Sequence, residues 1–263
     1  MFKTFHYTIP SKQLPKAFEG FRIAHLSDLH GAVYGRHNER LLQQIACAKP
    51  HCVVMTGDMA GHAISSRLGL IDLCRRLCAH HPVYYIPGNH EQCLEADVYA
   101  ALRADLVNAG AAVLENRWCS ISRHGSSIKL YGLVLPMRYY RSRLENAIKK
   151  VRFSDKAMKK LLGAADPSCF NLLLSHDPLH FPAYRDWGAD LTLSGHIHGG
   201  IIQIPGLGGL LSPDVTLFPR YDCGHFEENK KHMIVSRGLG NHFLFRVCDP
   251  AELAIITLSK APA

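Results

Sequence analysis

The 263-residue sequence has no CxxC pair, no internal repeat, no low-complexity tract and no uninterrupted apolar segment at its start. Each absence excludes a class of protein. Nine cysteines, an odd number scattered singly as at Cys47, Cys93, Cys169 and Cys248, make neither a disulfide framework nor a thiolate metal knuckle, and read as reduced thiols. Cys74 and Cys78, four apart in a helical stretch, are expected on one buried helix face without a chemical role. Lys3, His6, Lys12 and Lys16 break up the first twenty residues, so no signal peptide is expected. The chain is read as cytoplasmic, with a peripheral place at the inner face of the membrane left open. The stretch Leu191 to Leu211 has about the length of a membrane span, but its two histidines, several glycines and one proline make it a strand and a loop.

What is present is ordinary globular composition, 47% apolar and 20% charged. A chain of this length buries about 70 to 75% of its unfolded surface, so one domain over 1–263 needs no cross-links. Short β-rich runs with turn residues at their ends occur at Arg22–Ser27, Cys52–Thr56, Val83–Ile86, Lys129–Leu135, Phe170–Ser175, Asp190–Ser194, His232–Ser236 and Leu253–Leu258. Helix-like stretches at Asn38–Ala48, Arg67–Ala79 and Asp97–Asn108 lie between several of them. The alternation predicts an α/β layered fold.

Side chains of metal-ligand type collect at the C-terminal ends of these predicted strands. They are Asp28 and His30 in SDLH, Asp58 in TGDM, Asn89 and His90 in PGNHE, His176 in SHDP, and His196 and His198 in SGHIH. In an open α/β sheet the loops beyond the carboxyl ends of the strands form the ligand crevice, so distant residues can meet there. Two carboxylates, one amide and four imidazoles, with His90 left over, can serve two ions only if one ligand is shared. A carboxylate is the side chain suited to bridging, and oxygen and imidazole donors without thiolate favour Mn²⁺, Fe²⁺ or Zn²⁺. The other twelve of the 17 histidines are read as core or surface residues, His25 in the first predicted strand as core.

The ordered set D-x-H, G-D, G-N-H, H, G-H-x-H resembles the calcineurin-like metallophosphoesterases, over about Phe21 to Leu258. The tail SRGLGN followed by PAELAIITL resembles the YkuE/YaeI-like bacterial phosphodiesterase branch, which includes lipid-related pyrophosphate hydrolases. One departure is HGGIIQIP, where that branch more often has glutamine directly after the two glycines. The resemblance implies a four-layer α/β/β/α sandwich and a binuclear metal site. It assigns Asp28, His30 and His198 to one ion, Asn89, His176 and His196 to the other, and Asp58 to the bridge. It makes His90 the general acid beside the leaving-group oxygen. Two ions roughly 3.5 to 4 Å apart would clamp a phosphoryl oxygen and lower the pKa of a bound water towards 7, giving a hydroxide nucleophile for phosphodiester or pyrophosphate hydrolysis.

The formal charge of +8 is concentrated. Between Arg138 and Lys160 there are nine Lys or Arg against Glu145 and Asp155, an excess of seven. Residues 138–162 are therefore read as a basic helical insert, a candidate cap, whose Leu144, Ile148, Val151, Met158, Leu161 and Leu162 recur at helical spacing. A basic amphipathic helix suits an anionic lipid or membrane surface, which makes Lys149, Lys150 and Arg152 candidate substrate contacts. Tyr139, Tyr140 and Phe153 among the cations also allow nucleic acid. Arg237, in the loop Ser236–Asn241, is a further candidate phosphate contact, with Gly238 and Gly240 meeting backbone needs. The expected activity is thus a metal-dependent phosphohydrolase acting on an anionic, lipid-linked phosphoester. A nuclease or nucleotide phosphodiesterase and a non-catalytic scaffold are the rival readings.

Overall fold

The computed structural model describes residues 1–61, 63–140, 153–200, 203–204, 208–210, 217–240 and 248–261. Two six-stranded sheets carry the fold. The first has the order β1 (Phe2–Ser11), β14 (Ala251–Lys260), β2 (Arg22–Leu26), β3 (Cys52–Met55), β4 (Val83–Tyr85), β5 (Ala112–Val113). The second runs β12 (Gly224–Glu228), β13 (Lys231–Val235), β9 (Leu191–Ser194), β8 (Asn171–Ser175), β7 (Ser126–Leu133), β6 (Arg117–Arg123). Neighbours are parallel except β14 with β2, β12 with β13 and β6 with β7.

The strand sequences read as continuous apolar runs because both faces of each sheet are covered. Side chains alternate between two cores. Ile23 and Val54 point towards the second sheet and meet Leu172, Leu174 and Leu193. Ala24, Val53 and Met55 point outward to Leu41 and Ile45 of α1 (Glu39–Ala48), Leu70 and Leu73 of α2 (Ile64–Cys78) and Leu102 of α4 (Ala96–Asn108). On the far side Tyr131, Leu173 and Met233 meet Met158 and Leu162 of the helix Asp155–Leu162 and Phe181 and Tyr184 of the helix Phe181–Trp187. The layers are α/β/β/α, as expected.

The eight expected strands are present within three residues at each end, the largest differences being at β7, which begins at Ser126 and ends at Leu133, and at β14, which runs from Ala251 to Lys260. The strands β1, β6 and β12 were not anticipated, because their exposed faces carry polar residues and their apolar runs are short. Cys74 and Cys78 lie on one face of α2 with their sulfurs 3.9 Å apart, and His25 is fully buried, its Nε2 2.7 Å from Thr56 Oγ1.

Of the basic segment, the described part packs on the body of the protein. Ser154 caps the helix Asp155–Leu162, and Phe153, Met158 and Leu162 bury against the second sheet. One expectation needs correction here. Tyr139 and Phe153 are buried, their ring centroids 4.9 Å apart, and so offer no exposed platform for stacked bases. Lys149, Lys150 and Arg152, with Leu144, Ile148 and Val151, lie outside the described residues.

Candidate metal centre

Five strands end at one place. The loops after β2, β3 and β4 of the first sheet bring Asp28, His30, Asp58, Asn89 and His90, and the loops after β8 and β9 of the second bring His176, His196 and His198. Three groups of ligand atoms, each within 4.8 Å of one another, result: Asp28, His30 and His198; His30, Asp58 and His90; Asp58, His176 and His196. Asp58 belongs to two of them. Its Oδ2 lies 3.2 Å from His176 Nε2, 3.8 Å from His90 Nε2 and 4.0 Å from His30 Nε2. Asp28 Oδ1 is 3.4 Å from His198 Nε2 and 3.8 Å from His176 Nε2.

The backbone is bent to achieve this. Asp28, His30, Asp58, His196 and His198 all have positive φ, between 46° and 72°. Non-glycine residues pay about 1 to 3 kcal/mol each for such conformations, which persist only where the surroundings over-determine them. The surroundings here are hydrogen bonds from loop to loop: Asp28 N to Gly57 O, His30 N to Asp58 O and Gly195 N to His176 O, each 3.0 Å. Two glycines explain the spacing of the motifs. A Cβ on Gly88 would stand 2.1 Å from Asp58 Oδ1, and one on Gly195 would stand 2.1 Å from Asp28 Oδ2, so each carboxylate occupies the space that a side chain would need. Gly240 meets a similar need, since its Cβ would stand 2.1 Å from the Leu29 carbonyl.

The electrostatics demand positive charge. Burial would raise the Asp58 carboxyl, yet His176, His90 and His30 hold it well below the usual carboxylate range. Burial would depress His176, but Asp58 and Asp28 outweigh it and push the imidazole up to about 10. Its Nδ1 faces the Thr56 carbonyl at 2.7 Å, which directs Nε2 at the two carboxylates, where a proton or a cation must sit.

Two observations test whether cations fit. Asn89 Oδ1 is buried without a hydrogen-bond partner among the described residues, as an unmet ligand atom would be. His30 Nε2 and His198 Nε2 face each other at 3.1 Å, the spacing of two nitrogens that share an ion at about 2.0 to 2.1 Å. The residues fit. His90 differs from the others: its side chain is 22% exposed, against 0 to 8% for Asp28, His30, Asp58, His176 and His198. It faces the open side of the cluster.

Sequence reasoning missed Glu91. This fully buried carboxylate accepts the backbone N–H groups of Asp58, Met59, Ala60 and Gly88 at 2.7 to 2.9 Å, and so ties the loop after β3 to the loop after β4. Burial, then the charge of Asp58, pushes it up to about 7 against those four donors. Its place directly after His90 was the only signal in the sequence, and the clamp it forms depends on a contact 33 residues away.

Arg237 is held by carboxylates. Its Nε lies 3.2 Å from Asp249 Oδ1, its Nη1 3.0 Å from Glu252 Oε2, and its guanidinium covers the Phe5 ring at 4.6 Å. Tyr7 donates to the other oxygen of Glu252 at 2.7 Å. Gln203, two places after the position where the resembled branch has glutamine, reaches back to the Gly199 carbonyl and to Asp222.

A two-sheet sandwich with a carboxylate and imidazole cluster at its strand ends has the layout of a metal-dependent hydrolase. Residues 21–200 match the family described as calcineurin-like phosphoesterase, and the chain belongs to it. It is 30% identical over 270 residues to the uncharacterized metallophosphoesterase YkuE of Bacillus subtilis, covering 99% of this chain and 86% of that protein. It is 25% identical over 246 residues to the phosphodiesterase YaeI of Escherichia coli, covering 90% and 82%. It is 24% identical over 296 residues to the UDP-2,3-diacylglucosamine pyrophosphatase LpxG of Chlamydia trachomatis, covering 95% and 88%. The chain is accordingly an enzyme of the metallophosphoesterase class. Among the described residues no helix is long and apolar enough to cross a membrane.

Proposed function

We propose that the chain hydrolyses phosphodiester or pyrophosphate bonds with two divalent ions, and that its substrate is an anionic, lipid-linked phosphoester. The observation that carries the two-ion reading is Asp58, whose carboxylate stands in two of the three ligand groups. Asp28, His30 and His198 would hold one ion, Asn89, His176 and His196 the other, and Asp58 both. When bound, such a pair polarises the phosphoryl group and supplies a nucleophilic water at neutral pH. Mn²⁺, Fe²⁺ and Zn²⁺ all suit this donor set.

The chain's own groups do the rest. The positive-φ loops hold the ligands in place before substrate arrives, so little reorganisation accompanies reaction. His90, on the open side of the cluster and 3.8 Å from Asp58 Oδ2, is placed to donate a proton to the departing oxygen. A cleft of about 770 Å³ opens beside His30 and runs past Gly31, Tyr34 and Leu239 to Cys248 and Asp249. It has room for a substituent far larger than phosphate, such as the bulky organic group of a lipid-linked phosphoester. Relatives named phosphodiesterase and UDP-2,3-diacylglucosamine pyrophosphatase support the same bond classes, and the second supports an acylated substrate.

The test is hydrolysis of bis-p-nitrophenyl phosphate beside p-nitrophenyl phosphate, after stripping metal and restoring Mn²⁺, Zn²⁺ or Fe²⁺. Diester cleavage that returns with metal is expected; a preference for the monoester would overturn the bond class. Charge reversal at Lys149, Lys150 and Arg152 should abolish binding to anionic liposomes, and unchanged binding would remove the membrane contact.

A further inference from the structure

Tyr140 follows the short 3-10 helix Met137–Tyr139 at the end of the segment after β7. Its ring edge meets His196, centroids 5.3 Å apart and planes at 72°, and lies 6.2 Å from His176. The phenol oxygen is buried and has no hydrogen-bond partner among the described residues. Tyr184 nearby shows what a structural tyrosine does: its hydroxyl bonds both Ser175 Oγ and the Asp177 carbonyl at 2.8 Å. A buried hydroxyl without a partner costs a protein about 1 to 3 kcal/mol, and such costs concentrate where a ligand completes the bond.

Asn89 Oδ1, likewise buried without a hydrogen-bond partner among the described residues, is an acceptor, whereas the phenol is a donor. A phenol hydroxyl carries its proton at neutral pH and can donate it in a hydrogen bond. With its ring against His196 and His176, this O–H lacks an acceptor, which the substrate would bring.

We infer that the Tyr140 hydroxyl is a substrate-binding group that donates a hydrogen bond to a non-bridging phosphoryl oxygen on the Asn89, His176 and His196 side of the site. The inference rests on the phosphohydrolase reading above and adds a residue to it. Such a donor is fixed by its packing on His196 before substrate arrives, and it strengthens as charge builds on the phosphoryl oxygens. Tyr140 is not drawn from any motif that places metal ligands; its neighbours Tyr139 and Phe153 are core members, and Tyr140 packs on the margin of that core.

Tyr140→Phe separates the roles, because it removes the oxygen and keeps the ring. Four quantities are measured on the metal-loaded protein: bound metal per chain, melting temperature, inorganic phosphate affinity by calorimetry, and kcat/KM for bis-p-nitrophenyl phosphate. The expected result is unchanged metal, a melting temperature equal to or above that of the parent, phosphate bound about 10-fold more weakly, and kcat/KM down about 10- to 100-fold. A lowered melting temperature with unchanged phosphate affinity would make the hydroxyl structural and overturn the inference while the parent enzyme still turns over. If the parent itself neither binds phosphate nor cleaves the diester with any of the three metals, the phosphohydrolase reading fails and takes this one with it.

Discussion

Glu91 accepts the backbone N–H of Asp58 at 2.8 Å, and the same carboxylate takes the N–H of Gly88, one residue before the proposed ligand Asn89. One buried side chain thus fixes the distance between the proposed bridging ligand and a terminal one. Glu91→Gln would present an amide N–H₂ to donors that need acceptors. It should destabilise the protein by about 2 to 3 kcal/mol, the scale of a lost charged hydrogen bond, and weaken metal binding 10- to 100-fold. Thermal unfolding and metal titration check both; unchanged metal affinity would remove the clamp.

His90→Ala should lower kcat about 10² to 10⁴-fold while the bound metal is retained, because His90 is the exposed member of the cluster and the buried ones carry the ligand atoms. His176→Ala should lose metal. Elemental analysis beside kinetics distinguishes the two, and metal loss in the His90 variant would make it a ligand instead.

The glycine argument gives a matched pair. Gly195→Ala forces a Cβ to within 2.0 Å of Ser27 Oγ and 2.1 Å of Asp28 Oδ2, so activity should fall by at least 10-fold as Asp28 is displaced. Gly69, inside α2, has nothing within 4 Å of its would-be Cβ, and Gly69→Ala should stabilise by about 0.5 to 1 kcal/mol with activity unchanged. Denaturant unfolding and kcat measure the contrast.

His25 gives a pH dependence away from the reacting groups. Burial, against the pull of Asp28, depresses its imidazole from the ordinary 6.5 to about 3. A histidine held neutral in the fold binds its proton only on unfolding, so the unfolded chain takes up the extra proton between about pH 6.5 and 3. The stability His25 contributes is therefore complete above pH 6.5 and is lost as pH falls towards 3, by about 1.4 kcal/mol per unit. Urea unfolding of the parent and His25→Gln at pH 7, 6 and 5 should show a shallower loss in the variant; parallel curves would contradict the assignment.

Much of the site was legible because metal ligation requires particular atoms at particular ends of strands. Asp28, Asp58, Asn89 and the histidines stood out by residue type and by the glycines beside them, and the layered fold followed from apolar runs such as Cys52–Met55 and Asn171–Ser175. What stayed hidden depends on contacts rather than composition. Arg237 has the chemistry of a phosphate ligand, but only the fold reveals Asp249 and Glu252 on its guanidinium. Tyr139, Tyr140 and Phe153 look alike in sequence, yet two are core and one faces the histidines. β1 was missed because its pairing partner, β14, is at the other end of the chain.

The central claim is a pair of ions joined by Asp58, and metal stoichiometry tests it most directly. The purified protein and Asp58→Asn, both reconstituted with Mn²⁺ and freed of excess ion, would be assayed by elemental analysis beside diester hydrolysis. The account predicts two ions per chain in the parent, fewer in the variant, and hydrolysis lost in parallel. One ion per chain in the parent, or an active variant that keeps two, would contradict it.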